Sequence, residues 1–315
     1  MATGNLILPE PLNVVVLTGG PDRERSVSLM SADEVSRALR DAGHQVRLLE
    51  IGPDDLQGLD ELEGWCHVTF PALHGAWGEG GALQEILARR GIAFVGSEAP
   101  AAARCMDKDG AKRVFTEHGF DTPPHEMVSA GDTVSLAPPV VVKPACEGSS
   151  IDLEICRDRA ALAAARTRLH VRHRELMVER FVTGRELTVA VVAGADPVGQ
   201  DVEALPPIQI VPATEYYDYE AKYEREDTQY RFDPDLPDAL LDDLRRIALG
   251  VHQTLGCRHL SRTDFIVDDA LRPWILEVNS IPGFTSHSLV PMAAARAGID
   301  LPRLVDRLVR RAGPI

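Results

Sequence analysis

Lysine is scarce in this chain of 315 residues: of thirty-three basic residues, only Lys108, Lys112, Lys143 and Lys222 are lysine. Forty-eight acidic residues bring the formal net charge to −15, which argues against a general duplex-binding surface while leaving room for a small basic pocket. Asparagine is scarcer still, at Asn5, Asn13 and Asn279, and all five tyrosines fall between Tyr216 and Tyr230. No run of eighteen apolar residues is present, so no membrane-spanning helix is expected, and Met1 to Pro11 has too short an apolar stretch for a secretory signal. The five cysteines, Cys66, Cys105, Cys146, Cys156 and Cys257, are never closely paired. They read as reduced thiols of a cytoplasmic protein rather than a disulfide framework, and no closed zinc-site spacing occurs. Walker A, dinucleotide and G-x-S-x-G motifs are all missing, which leaves the commonest phosphate-binding folds and a serine nucleophile unsupported.

What remains is ordinary globular material, 44% hydrophobic and 26% charged, enough for two domains or three small interlocked ones. Strand and helix signals alternate through the first third. Leu12–Leu17, Val46–Leu49, Val68–Phe70 and Ile92–Val95 read as strands, with helices over Ser26–Ala42 and Gln84–Arg90. That order predicts a mostly parallel, doubly covered sheet over residues 1–100. A second, βαβ-like domain spans 101–185, with a helix at Asp107–His118, a strand at Val140–Val142 and a helix at Arg157–Leu169. The remainder, 186–315, holds a helix from Pro237 to Leu255, short strands Thr263–Val267 and Trp274–Val278, and two terminal helices. Residues 215–233 are polar, rich in tyrosine and poor in regular signals, as a lid would be.

Three segments carry candidate chemistry. Glu277 and Asn279 lie two apart on a strand and share a face, and Asp264 joins them if the two short strands pair. Two carboxylates and an amide oxygen are hard ligands suited to Mg²⁺, and Arg262 beside them could clamp a phosphate or an oxyanion; spacing alone also fits a solvated acidic hairpin. The loop Glu147-Gly148-Ser149-Ser150 follows a strand ending in Lys143, an arrangement that suits phosphate but equally a surface turn. His74-Gly75 and Gly78-Glu79-Gly80-Gly81 follow the Val68–Phe70 strand, where open α/β sheets form ligand crevices; His74 is there either a substrate contact or a packing residue.

These segments, in order, resemble the D-alanine–D-alanine ligases of the ATP-grasp superfamily over nearly the whole chain. The resemblance rests on Ala72-Leu73-His74-Gly75, Met106-Asp107-Lys108, Val142-Lys143-Pro144, Glu147-Gly148-Ser149-Ser150 and Gly184-Arg185-Glu186. It continues through Tyr217-Asp218-Tyr219-Glu220-Ala221-Lys222-Tyr223, Glu277-Val278-Asn279 and Pro282-Gly283-Phe284-Thr285-Ser286-His287-Ser288-Leu289. It implies an α/β ATP-grasp fold with an open parallel N-terminal domain and a nucleotide held between central and C-terminal α+β domains. The implied cofactors are ATP and Mg²⁺, with Mn²⁺ an admissible substitute. Lys108 and Lys143 are then expected on ATP phosphates, with Ser150 in the same loop and Glu179 and Glu186 on the adenine and ribose side. Asp264, Glu277 and Asn279 hold the metal, Arg262 and the Gly283 backbone form the oxyanion hole, and Ser149, Lys222 and Tyr223 join the catalytic set. Ser26 and His74 face the first amino acid, Ser288 and Leu289 the second. Small amino-acid substrates and a homodimer are implied, without nucleic-acid or membrane partners.

Three departures from the family pattern stand out. Ser26 replaces the glutamate that usually holds the first substrate's ammonium group, which costs about 1.5–3 kcal/mol unless another acid replaces it. Asp152 stands where the glycine loop usually continues with glycine, and Gly80 where aspartate is usual. The expected reaction is ATP-dependent joining of two D-alanines through an acylphosphate. The alternatives are a related ligase with another first substrate and an inactive nucleotide-binding homologue.

Overall fold

The computed structural model describes residues 11–146, 152–196, 201–213, 227–285 and 287–312. Its first layer is a parallel sheet of β1 (Asn13–Gly19), β2 (Gln45–Ile51) and β3 (Val68–Pro71), ordered β2-β1-β3. β1 is buried on both faces, which explains its unbroken apolar run. Val14 and Val16 pack toward α1 (Arg25–Asp41), whereas Val15 and Leu17 pack toward α3 (Ala82–Arg89). Between β3 and α3 lies the short α2 (Gly75–Glu79), which no periodicity announced. The expected strand at Ile92–Val95 is only a single bridge, Thr69 to Phe94, in a segment bounded by Gly91 and Gly96.

Helices α4 (Ala99–Met106) and α5 (Lys108–Glu117) lead into an antiparallel sheet. It contains β4 (His125–Ser129), β5 (Val140–Lys143), β6 (Glu154–Cys156) and β7 (Glu175–Arg180), ordered β4-β7-β5-β6. β6 and β7 both run antiparallel to β5, so they are parallel to each other and, with α6 (Arg159–Leu169), make a split βαβ unit. Leu162, Ala165 and Leu169 of α6 cover Val140, Val142, Leu176 and Val178.

The third sheet contains β8 (Gly184–Ala193), β9 (Val202–Ala204), β10 (Ile208–Val211), β11 (Gln229–Arg231), β12 (Leu260–Asp268) and β13 (Pro273–Asn279). Its order is β11-β10-β8-β12-β13, with β9 also on β8. β11 falls at the end of the expected lid; positions 214–226 lie outside the described residues. Helix α7 (Asp238–Leu255) covers one face through Leu244, Val251 and Leu255 against Val189, Val191 and Phe265. Ala190 and Val192 point the other way. They share a core with the first layer and with α8 (Leu289–Arg296) and α9 (Leu301–Arg311), so the chain's end returns to its beginning. Phe70 of β3 meets Phe284 edge to face, with ring centroids 5.2 Å apart.

Candidate active site

The β12–β13 hairpin places Arg262 opposite Asn279 and Asp264 opposite Glu277, so all four side chains share one face. A bulge follows: Phe265 pairs with Ile275 rather than Leu276. The extra residue changes the parity of β13, allowing Val278 and Ile275 both to enter the core while Glu277 and Asn279 face away from it. Asp264 is the focus of the face. It accepts from Arg262 Nε at 2.9 Å and Nη2 at 2.8 Å, from Thr188 Oγ1 at 2.6 Å and from Asn279 Nδ2 at 3.2 Å. Because Asn279 uses its amide nitrogen on Asp264, its amide oxygen is the atom left for a cation. Glu186 of β8 lies on the same sheet face, two residues before Thr188, which pairs with Asp264.

Helix α5 joins this hairpin to the second sheet. Lys108 and Lys112 are one turn apart on it, and both ammonium groups are buried. Lys108 Nζ lies 3.2 Å from Glu277 Oε2. Burial lowers its pKa, but Glu277, with Cys146 and Glu179 adding to it, outweighs burial and leaves the ammonium above its ordinary value. Lys112 Nζ sits 2.9 Å from Glu179 Oε2 and donates to Thr122 at 2.7 Å. Lys143 donates to the other Glu179 oxygen at 2.5 Å. Glu179 lies opposite Val141, two residues before Lys143 on β5, so Glu179 and Lys143 share a sheet face. Burial pushes the Glu179 carboxyl upward, but Lys112 and Lys143 together bring it down to about 2. Lys108 also feels Glu179, and Lys112 feels Glu277, so the hairpin and the Lys143 cradle belong to one electrostatic cluster. Lys112 did not figure among the expected site residues; its one-turn spacing from Lys108, in a chain so poor in lysine, was the available signal.

The first-layer loops supply a second group of residues. His74, at the start of α2, is buried, and its Nε2 finds no partner among the described residues. Burial pushes the ring down to about 4, against the Ile281 backbone, and Arg262 adds to the lowering. Glu79 accepts from the Gly75 N–H at 3.0 Å. Burial first, then Glu24, hold its carboxyl well above the usual range, while Arg262 and Lys108 pull the other way. Glu24 is buried as well, whereas Ser26, in the first turn of α1, is exposed. Two acids not among the expected site residues thus stand beside the Ser26 loop.

Gly283 follows β13 at a close approach, where a Cβ would lie 2.8 Å from Ser288 Oγ. That hydroxyl also accepts from the Thr285 N–H at 2.9 Å, while Leu289 is buried in the core shared with α1. Asp152 adopts the left-handed conformation with φ 56° and turns its carboxylate to Arg172 at 2.9 Å and His173 at 2.8 Å. The extra charge is therefore paired. A Cβ at Gly80 would lie 2.3 Å from the Ala76 carbonyl oxygen, so the aspartate usual in the family would require a reshaped α2 end. Ser149, Ser150, Lys222 and Tyr223 lie outside the described residues.

The donor set fits a hard divalent cation. Asp264, Glu277 and Asn279 offer oxygen from one sheet face, and no cluster of three or more His, Cys, Asp or Glu side chains suited to a metal exists among the described residues. Such a site needs phosphate and water oxygens to complete its shell. A separate pocket of about 1250 Å³, lined by His67, Phe94, Arg258 and Arg311 among others, includes none of these residues.

Two antiparallel sheets bridged by a lysine-bearing helix, with an acidic hairpin facing a buried lysine pair, define an ATP-grasp enzyme. The D-alanine–D-alanine ligase C-terminal family model matches residues 113–310. A D-alanine–D-alanine ligase of Bordetella avium is 40% identical over 299 residues, covering 92% of each chain. One from an Anaeromyxobacter species is 40% identical over 304 residues, covering 94% of this chain and 95% of its own. The Bacillus anthracis D-alanine–D-alanine ligase complexed with ATP superposes with a TM-score of 0.80 at 28% identity, over 96% of each chain. The chain belongs to the D-alanine–D-alanine ligase family.

Proposed function

We propose that the protein joins two D-alanine molecules at the expense of ATP, giving D-alanyl-D-alanine, ADP and phosphate. The observation that carries this reading is the single-faced set Arg262, Asp264, Glu277 and Asn279, tied through Lys108 to the Lys143–Glu179 cradle. Full-length relatives at 40% identity support the same reaction. The proposal includes three domains, at 1–100, 101–185 and 186–315, and a homodimer.

In this reading Lys143 and Lys108 bind the nucleotide's phosphates, and Asp264, Glu277 and Asn279 hold Mg²⁺. When bound, the ion supplies screening of phosphate charge, so that a carboxylate can approach the γ-phosphoryl group. Arg262 is held by Asp264 in a two-pronged grip, which orients its guanidinium rigidly. With the Gly283 N–H, it is assigned to stabilising the oxyanion formed when the second amine attacks the activated carbonyl. Ser288 and Leu289 orient the second amino acid. Lys222 and Tyr223, with the segment 215–233, are assigned to closing the site against water, because an acylphosphate hydrolyses, and Ser149 to the catalytic set with Tyr223.

The first substrate's ammonium lacks the usual glutamate at Ser26. Glu24, buried two residues away, supplies negative charge instead, while burial and Glu24 hold the Glu79 carboxyl toward its neutral form, and the unpaired ring nitrogen of His74 offers a hydrogen-bonding partner. These residues favour plain D-alanine over another first substrate. ADP release should be measured with ATP, Mg²⁺ and single or paired D- and L-amino acids. D-alanine alone is expected to suffice, with D-alanyl-D-alanine found by mass spectrometry; turnover only after another acid is added would overturn the assignment.

A further inference from the structure

Cys105 and Cys257 are 152 positions apart in sequence, yet their sulfur atoms lie 3.5 Å from each other. Cys105 is on α4 and buried; Cys257 is half-buried in the turn between α7 and β12. The surrounding frame already holds the two segments together. Arg104 donates from Nε at 3.1 Å and from Nη2 at 2.7 Å to the Leu255 carbonyl at the end of α7. The Arg258 N–H, next to Cys257, donates to Ser97 Oγ at 3.1 Å. None of the other three cysteines shows this arrangement: Cys66 and Cys156 donate to backbone carbonyls, and Cys146 is exposed at the phosphate loop.

We propose that Cys105 and Cys257 form a peroxide-responsive dithiol that closes reversibly to an intramolecular disulfide, cross-linking α4 to the turn ahead of β12. A disulfide needs the sulfurs to approach to about 2 Å, a movement that side-chain rotation and a small shift of the turn can supply. The two thiols are unequal in a way that suits stepwise oxidation. Cys105 is held above the ordinary thiol value by its contact with Cys257 and by burial, and both effects keep it protonated. Cys257 is the less buried of the two, and its contacts with Cys105 and Ser97 and the nearby Arg104 draw its thiol below the ordinary value despite burial.

Cys257 thiolate therefore attacks the peroxide oxygen. The O–O bond breaks, sulfur is oxidised to the sulfenic acid, and one water leaves after protonation. The Cys105 sulfur then attacks the Cys257 sulfur; the S–O bond breaks, the Cys105 proton goes to the departing hydroxide, and a second water forms. One peroxide is reduced to two waters and two thiols are oxidised to one disulfide. A dithiol reductant reverses the change. The cross-link joins the helix leading to Lys108 with the turn leading to Arg262, and Cys105 lines a small cavity with Lys108, Glu277 and Asn279. The chemistry does not depend on the ligase assignment.

The test is hydrogen peroxide titration of the full chain, alkylation under denaturing conditions, and peptide mapping with and without dithiothreitol. Peroxide should yield one linked peptide pair, Cys105 to Cys257, with two fewer alkylatable thiols than untreated protein, and reduction should restore both. In Cys105→Ser a dimedone adduct should accumulate on Cys257, at least about tenfold above its level in the unsubstituted protein, because the resolving thiol is gone. Cys146→Ser should form the link unchanged. Linkage of Cys257 to another cysteine would overturn the proposal. So would Cys105 and Cys257 both remaining alkylatable at a dose that oxidises Cys146. The mapping needs no variant, so poor folding of a serine variant would leave the outcome decidable.

Discussion

Glu179 is the residue on which the basic cradle depends, because it separates two ammonium groups that would otherwise repel inside the protein. Its pKa of about 2, against an ordinary 4.5, means that the charged form is favoured in the folded state. The associated stability is therefore present in full above the ordinary value and is lost as pH falls from about 4.5 through about 2. That shift corresponds to about 3 kcal/mol, part of which is offset by the burial that lowers the Lys112 ammonium. Glu179→Gln should cost about 3–5 kcal/mol in urea denaturation at neutral pH, since it leaves buried lysines without an anion. The difference from the unsubstituted protein should shrink toward pH 3. Equal destabilisation at both pH values would show that packing rather than charge is at work. The family resemblance put Lys108 and Lys143 on the phosphate side and Glu179 on the adenine and ribose side of one expected site. That Glu179 grips Lys112 and Lys143 was not legible, since it depends on two strands and a helix from separate stretches.

At the scale of the element, the β12–β13 hairpin does the most for function. Its pairing follows from two short apolar runs flanking the Asp268-Asp269-Ala270 turn, and spacing alone already put Glu277 and Asn279 on one face. The bulge at Leu276 was hidden, because alternation cannot reveal an extra residue until the partner strand fixes the register. Asp264→Asn keeps the shape of the side chain but removes the charge that holds Arg262 and that the proposed metal site would use. The half-saturating Mg²⁺ concentration for ADP release should rise about 10–100-fold, with the far-ultraviolet circular dichroism unchanged. An unchanged Mg²⁺ requirement would remove Asp264 from the ligand set. Ile92–Val95 teaches the reverse lesson: an apolar run of strand composition became one bridge, because pairing needs a partner over its whole length.

Across the whole molecule, the feature that matters is the return of α8 and α9 to the first layer. Leu308 is fully buried in a core containing Val14 and Val16 of β1, Val35 and Leu39 of α1, and Val192 of β8. One core therefore spans the two ends of the chain and holds the Gly283–Leu289 segment against the first-layer loops, where Phe284 N–H donates to Ser31 at 3.2 Å. Leu308→Ala should cost about 2–5 kcal/mol through the cavity it leaves. Because the core is shared, tryptophan fluorescence and circular dichroism should report that loss at the same denaturant midpoint shift; separate midpoints would indicate independent layers.

The sequence by itself determined most of the strands and helices, the face shared by Glu277 and Asn279 on the hairpin and the roster of charged residues available for phosphate, because these depend on local periodicity and on which side chains the chain possesses. Only the tertiary structure decided which of those charges are paired. Lys112 entering the cradle, Asp152 satisfied by Arg172 and His173, Glu79 approaching Glu24, and the meeting of Cys105 with Cys257 are long-range events. Their energies come from burial and from distances of a few ångströms, which the chain acquires only when distant segments are packed together.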